Sequence, residues 1–285
     1  MLRSFSQVDV FGPDPLEFGL CRGNPVAVAH SADGLSEQQM ARFANWTNLS
    51  ETAYLLPPTV AGADYRLRTF TPVAEIDFAG HPTLGSAHAW LAAGGVPQRG
   101  DLVVQECNAG LVRIRTGARL AFAAPPLVRS GPLDDLTFAQ VLLALRVSAA
   151  DVIGAAWVDN GAGFLGVHLA DAVAVLALTP DFTAFGGLEI GVIGTYAPAE
   201  RERLGVDVEV RSFVPSFNIP EDPVTGSLNA GLAQWLIGAG ALPSSYVASQ
   251  GTCLGRAGRV YIDAVDEDIW VGGATTTMIQ GSVGL

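Results

Sequence analysis

The chain reads as an α+β protein built from two pseudo-symmetric domains, each a strand-rich unit around one central helix, and three observations predict this. First, the halves repeat: Arg68, Phe70, Pro72 and Ile76 of RTFTPVAEI recur 143 positions later as Arg211, Phe213, Pro215 and Ile219 of RSFVPSFNI. After a two-residue gap, Pro82, Gly85 and Ser86 pair with Pro223, Gly226 and Ser227. Four inserted residues later, Trp90-Leu91 pairs with Trp235-Leu236. Matches in this order at half the chain length signal duplication. Second, short strand-like runs and segments of helical spacing occur in both halves. Third, AAPPLVRSGPLDD at 123–135, rich in Pro and small residues, lies near the midpoint and is the natural linker. The expected division is 1–126, completed by the last strand at about 272–285, and 127–271.

Taken in chain order, the first half should contain strands at Pro25–Ala29, Thr52–Leu56, Tyr65–Phe70, Leu102–Gln105 and Leu111–Arg115. The second should contain Gly166–Leu169, Val206–Phe213, Arg259–Ile262 and Ile269–Gly272. A helix is expected from Ser36 to Trp46, with Ser36 as its cap and Met40, Phe43 and Ala44 on one face. Two more helices should open at GHPT and EDPVTGS. There His81-Pro82 and Asp222-Pro223 have the form of a cap followed by proline at the first helical position, where a missing N–H costs nothing. Leu84, Ala87 and Leu91 then form one apolar stripe, and Leu228, Leu232, Trp235 and Leu236 the other, with Gly238–Gly240 ending the second helix.

Composition narrows the chemistry. Of 285 residues, 49% are hydrophobic and 15% charged, which is enough apolar surface for buried cores. All sixteen basic residues are Arg, so a pyridoxal aldimine, a Schiff-base aldolase and a Walker A lysine are excluded. A net charge of −12 disfavours nucleic acid as a partner. Cys21, Cys107 and Cys253 are isolated and lack the spacing of a zinc site or a disulfide framework, so no metal is expected and a reduced, cytoplasmic setting fits. The N-terminus has no apolar leader segment, and no run approaches a membrane span.

A helix N-terminus offers unpaired N–H groups and partial positive charge to an anion. If the halves face each other across a pseudo-twofold axis, the His81 and Asp222 ends converge on an interdomain cleft, where Gly226 and Ser227 let backbone donors approach a carboxylate. Taken singly, Asp222 reads as an ordinary helix cap and His81 as a satisfied interface histidine. Their matched positions in the repeat favour a shared site.

These residues sit in recognisable motifs. NLSET at 48–52, RTFTPVAEIDFAGHPTLG at 68–85 and EDPVTGS at 221–227, with GNPVAV at 23–28, SQGTCLGRAGRVYI at 249–262 and VGGATTTMIQG at 271–281, resemble the PhzF-like family, named for a phenazine biosynthesis isomerase. The resemblance spans almost the whole chain. It implies a diaminopimelate epimerase-like fold, in which each domain wraps a strongly curved, barrel-like mixed sheet around a central helix and the active site lies between the two. It also implies an isomerase or epimerase that moves a proton on a small carboxylic acid without cofactor or metal, working as a homodimer. Glu51 of NLSE matches the family's general acid/base, a task that suits a carboxylate. His81 and Asp222 match its other polar site residues, which bind substrate and tune Glu51. Asn24, Gly80, Gly226 and Ser227 match substrate-binding positions.

The chain also departs from its relatives. Epimerases of this fold use two opposed cysteines, whereas Cys21, Cys107 and Cys253 lie outside the GHPT and EDPVTGS turns, which argues against two-thiol racemisation. FGLCRG ahead of Asn24, and Trp46-Thr47 before NLSE, are expected to reshape the pocket mouth. Three rival readings stand beside this one. GAGFLG at 161–166 with Asp181 satisfies the dinucleotide fingerprint, but the residues after Gly166 resemble strand rather than helix. A hydrolase triad of Ser227, His81 and Asp222 lacks a G-x-S-x-G elbow. A catalytically silent protein that binds a small carboxylate or a partner is the third.

Overall fold

The computed structural model describes residues 1–13 and 19–285. The first half contains β1 (Leu2–Gly12), β2 (Asn24–Ala29), α1 (Glu37–Thr47), β3 (Glu51–Leu56), β4 (Tyr65–Phe70), β5 (Glu75–Ile76), α2 (Gly80–Ala92), β6 (Leu102–Cys107), β7 (Gly110–Arg115) and β8 (Leu120–Ala123). After β9 (Arg129–Pro132) and α3 (Asp135–Leu145) come β10 (Val152–Asp159), β11 (Phe164–Leu169), α4 (Ala172–Ala177), β12 (Glu189–Thr195) and α5 (Pro198–Leu204). The chain ends with β13 (Val208–Val214), β14 (Ile219–Asp222), α6 (Gly226–Gly238), β15 (Ser245–Gln250), β16 (Gly258–Val265) and β17 (Asp268–Gly284).

The repeat seen in the sequence is a repeat of connectivity. In the first half β1–β2 is antiparallel, β2–β3 parallel, β3–β4 antiparallel, β4–β6 parallel, and β6–β7–β8 antiparallel. The series β10, β11, β12, β13, β15, β16, β17 follows the same pattern pair for pair. β17 joins the two sets. Its Asp268–Gly272 stretch pairs with β16, Trp270–Gly273 with β8, and Ala274–Gly284 with β1. The pairings to β8 and β1 close the first set into an eight-stranded mixed barrel.

Each half buries one helix. α2 and α6 are apolar or small on nearly every face, which suits a helix enclosed by sheet rather than laid on a surface. Leu84 of α2, and Leu228 and Leu232 of α6, are fully buried in one core that also takes residues from strands of both halves. The remaining helices cover outer faces. α1 sets Met40 and Ala44 on Ala29, Tyr54 and Phe70, while α3 and α4 cover Leu165, Val167, Ile190 and Val192. Ser36 caps α1 as expected, in a reciprocal capping box with Gln39. Among the described residues no helix is long and apolar enough to cross a membrane.

Several local expectations need correction. His81 and Asp222 are not helix caps. α2 begins at Gly80 with Ala79 as N-cap, so His81 is its second residue and Pro82 its third, still within the first turn where proline is tolerated. Asp222 ends β14, and α6 starts only at Gly226, after Thr225. The linker is partly strand, because Arg129–Pro132 pairs with β10. β1, β10 and β12 were not expected. In β1, Ser6, Gln7 and Asp9 interrupt the apolar pattern, yet the Asp9 carboxylate is satisfied indoors by the N–H groups of Arg22 and Gly23. GAGFLG leads from a Gly161–Gly163 turn straight into strand β11, so no helix is there to receive a pyrophosphate.

Candidate active site

The seam between the halves is made by two helix ends. The first residues of α2 and α6 touch: a Cβ added to Gly80 would fall 2.6 Å from the Gly226 Cα, and one added to Gly226 would fall 3.0 Å from the Gly80 Cα. Only two hydrogen side chains permit this approach. Neither N-cap residue, Ala79 or Thr225, caps its helix with a side chain, and the positive dipole ends of the two helices meet at one place.

Glu51, the first residue of β3, is positioned beside them. Its side chain is 14% exposed and adjoins a narrow cavity of about 20 Å³ whose walls include Phe78, Phe164, Phe217, Asp222 and Ser227. Glu51 Oε2 lies 3.4 Å from His81 Nε2. Burial first, and the Asp222 charge second, push the Glu51 carboxyl up to about 8, against a weaker lowering by the Ser50 hydroxyl. Burial likewise pushes His81 down to about 3, opposed by its hydrogen bond to the Pro25 carbonyl. At neutral pH the imidazole is uncharged and Glu51 is mostly a neutral acid, so the 3.4 Å contact is not an ion pair.

Asp222 is held from several elements. Its Oδ1 accepts from Asn24 Nδ2 at 2.9 Å and its Oδ2 from Thr225 Oγ1 at 2.5 Å. Burial raises it to about 6, and these two hydrogen bonds work the other way. Asn24, at the start of β2, gives its other amide hydrogen to the Val224 carbonyl at 3.0 Å, and its Oδ1 accepts from Ser50 Oγ at 3.2 Å. The turn before α6 is pinned from β15: Gln250 Oε1 accepts from the Thr225 N–H and from Asn229 Nδ2, while Gln250 Nε2 donates to Thr225 Oγ1 and the Asp222 carbonyl.

The fold thus brings Asn24, Glu51, Gly80, His81, Asp222, Gly226 and Ser227 to the same seam from five elements. Sequence reasoning missed Thr225 and Gln250, though both lie inside motifs it singled out, and it missed the aromatic walls Phe78, Phe164 and Phe217. One expectation about the mouth does not hold. Trp46 is 79% exposed and stacks on Phe43, and Thr47 bonds to Ala44 and Thr52, so neither lines the cavity. Of FGLCRG, Phe18 lies outside the described residues, while Cys21 is exposed and its carbonyl accepts from Arg256. The hydrolase reading has no support in the hydrogen bonding: the bonds of the Asp222 carboxyl go to Asn24 and Thr225, and those of the His81 ring to Asn24 and Pro25.

Comparison with known proteins agrees with this architecture. The sequence profile of the phenazine biosynthesis-like protein family matches residues 8–281. The chain is similar to antisense-enhancing sequence 1 of Schizosaccharomyces pombe, with 35% identity over 98% of each chain. It is 31% identical to a trans-2,3-dihydro-3-hydroxyanthranilate isomerase of Pseudomonas aeruginosa, over 92% of this chain and 91% of that one. A solved phenazine biosynthesis protein of the PhzF family from Enterococcus faecalis superposes with a TM-score of 0.77 at 26% identity, covering 100% of both chains.

Proposed function

The chain belongs to the phenazine biosynthesis-like family and is an isomerase, and from that premise we propose that it moves a proton between carbons of a small, unsaturated carboxylic acid, with Glu51 as the single general acid/base. The substrate carboxylate is held at the paired N-termini of α2 and α6, and its reacting carbons lie over Glu51 in the cavity walled by Phe78, Phe164 and Phe217. Ionised Glu51 removes a proton from one carbon. The C–H bond breaks, an O–H bond forms, and the electron pair spreads into the neighbouring unsaturation. Glu51 then returns the proton to another carbon, so the net change is isomerisation with no electron gained or lost.

One observation carries this reading: a buried carboxyl pushed up to about 8, facing a cavity beside two uncapped helix ends. Such a group holds a captured proton readily at neutral pH, which is what the middle of the reaction requires. A protein that only binds carboxylates gains nothing from an acid at that position, since burial makes its ionised form costly.

The test uses trans-2,3-dihydro-3-hydroxyanthranilate, the compound in the name of the Pseudomonas aeruginosa relative, in deuterated water. The wild-type protein should incorporate solvent deuterium into the isomerised product, or shift the proton internally. Glu51→Gln and Glu51→Ala should lower turnover by at least ~10²-fold, while affinity for the aromatic analogue 3-hydroxyanthranilate stays within about threefold. Unchanged turnover in Glu51→Ala removes Glu51 from the mechanism.

A further inference from the structure

The duplication places a second buried carboxyl where Glu51 has its counterpart. Glu51 opens β3 and sits in parallel register with Val26 of β2. Glu189 opens β12, the equivalent strand, and sits in parallel register with Phe164 of β11. Register partners in neighbouring strands share a sheet face, and Phe164 is a wall of the Glu51 cavity, so Glu189 lies beside that wall. It is 4% exposed.

Glu189 grips one segment. The hydroxyl and the N–H of Ser216 both donate to its carboxyl, the hydroxyl to Oε1, and Oε2 is without a close hydrogen-bond partner among the described residues. Ser216 is the middle residue of the Pro215–Phe217 turn between β13 and β14, and the residues around it, Val214, Phe217 and Ile219, all line the cavity. A buried acid held by a single serine is costly unless the serine has to be held. Burial pushes the Glu189 carboxyl up to about 7, so the clamp does not depend on a permanent charge behind the apolar wall.

We infer that Glu189 is a positioning residue for the isomerase site: by clamping Ser216 it fixes Phe217 and Val214 against the substrate ring and thereby sets substrate fit. In the first repeat the carboxyl at this strand start faces the reacting carbon; in the second it holds the opposite wall. The inference rests on the proposed reading of the Glu51 site, because it supposes that this cavity takes the substrate.

Glu189→Ala, Ser216→Ala and Glu189→Gln are compared with wild type. For trans-2,3-dihydro-3-hydroxyanthranilate, Glu189→Ala should raise KM by about tenfold, the effect of one misplaced apolar wall, with kcat reduced less than about threefold. Glu189→Gln keeps an acceptor for Ser216 and should restore KM to within about threefold of wild type. Ser216→Ala should behave like Glu189→Ala, and the double variant should be no worse than either single one. Calorimetric titration with 3-hydroxyanthranilate reads the same fit without turnover. Amide hydrogen exchange needs no ligand: a peptide covering 212–219 should exchange faster in Glu189→Ala and as in wild type in Glu189→Gln. Unchanged exchange of that peptide in a folded Glu189→Ala overturns the clamp. A loss of kcat at constant KM overturns the positioning role in favour of proton transfer. If wild type shows no turnover, the Glu51 reading fails, and the calorimetric and exchange arms still decide the role of Glu189.

Discussion

Asp222 shows how one side chain acts on the titration of another. Two hydrogen bonds, from Asn24 and Thr225, favour its ionised form in a setting where burial opposes it. The resulting negative charge helps to hold Glu51 at about 8. Asp222→Asn deletes that charge while keeping the shape, so Glu51 should ionise at lower pH. In the proposed mechanism proton removal needs ionised Glu51, so kcat/KM in wild type should rise with pH through about 8. In Asp222→Asn the same rise should come roughly one pH unit earlier. A pH–rate profile of substrate deuteration checks this, and an unmoved rise means that Asp222 binds but does not tune. At this scale Glu51 and Asn24 were named through the motifs that resemble the family's, and His81 and Asp222 through the repeat as well, and the fold brings all four to one seam. The aromatic walls and Glu189 left no such mark: Phe164 and Phe217 look like core residues, and Glu189 is an isolated carboxyl in GGLEI whose meaning depends on a strand alignment.

At the scale of elements, the meeting of α2 and α6 decides what the seam can hold. Glycine within a helix usually costs up to about 1 kcal/mol relative to alanine, so Gly→Ala in a helix is normally a gain. Gly80 and Gly226 should reverse the sign, because the new methyl meets backbone of the facing helix at 2.6 and 3.0 Å and neither backbone can yield. Overpacking of this kind costs about 1–3 kcal/mol, so each alanine variant should lose about 1–2 kcal/mol in urea unfolding. Gly238, the last residue of α6, has nothing within 4 Å of an added Cβ and serves as the control. Gly238→Ala should gain about 0.5–1 kcal/mol. Gains in all three variants would mean that the helix ends are not packed as described. These helices were legible in the sequence, but their starts were not. The His81-Pro82 and Asp222-Pro223 pairs imitate a cap with proline behind it, whereas Pro82 sits inside the first turn and Asp222 is recruited to the site. Sequence pattern records what a residue could cap; only the tertiary pairing of β14 fixes where the helix begins.

On the scale of the whole molecule, duplication invites the expectation of two independently melting halves, and the topology argues against it. β17 belongs to both sets of strands, pairing with β16 at one end and with β8 and β1 along the rest. Its far end brings the chain termini together, since the Leu285 N–H donates to the Met1 carbonyl at 3.0 Å. The apolar interior is also shared: Val8, Val26 and Leu84 of the first half belong to the same buried cluster as Val208, Leu228 and Val260 of the second. Neither half can therefore unfold without stripping a strand and a core face from the other, and the cost of exposing that apolar surface, about 25 cal/mol per Å², couples the two. The five tryptophans report on both halves, Trp90 in α2 and Trp235 in α6 among them. Urea unfolding followed by tryptophan fluorescence and by far-ultraviolet circular dichroism should give superimposable curves with one midpoint. Two midpoints, or fluorescence leading the dichroism, would mean that the halves separate before they unfold. A seam that opened so easily would leave Glu51 in water, where its carboxyl would fall back toward about 4.3 and be ionised at neutral pH.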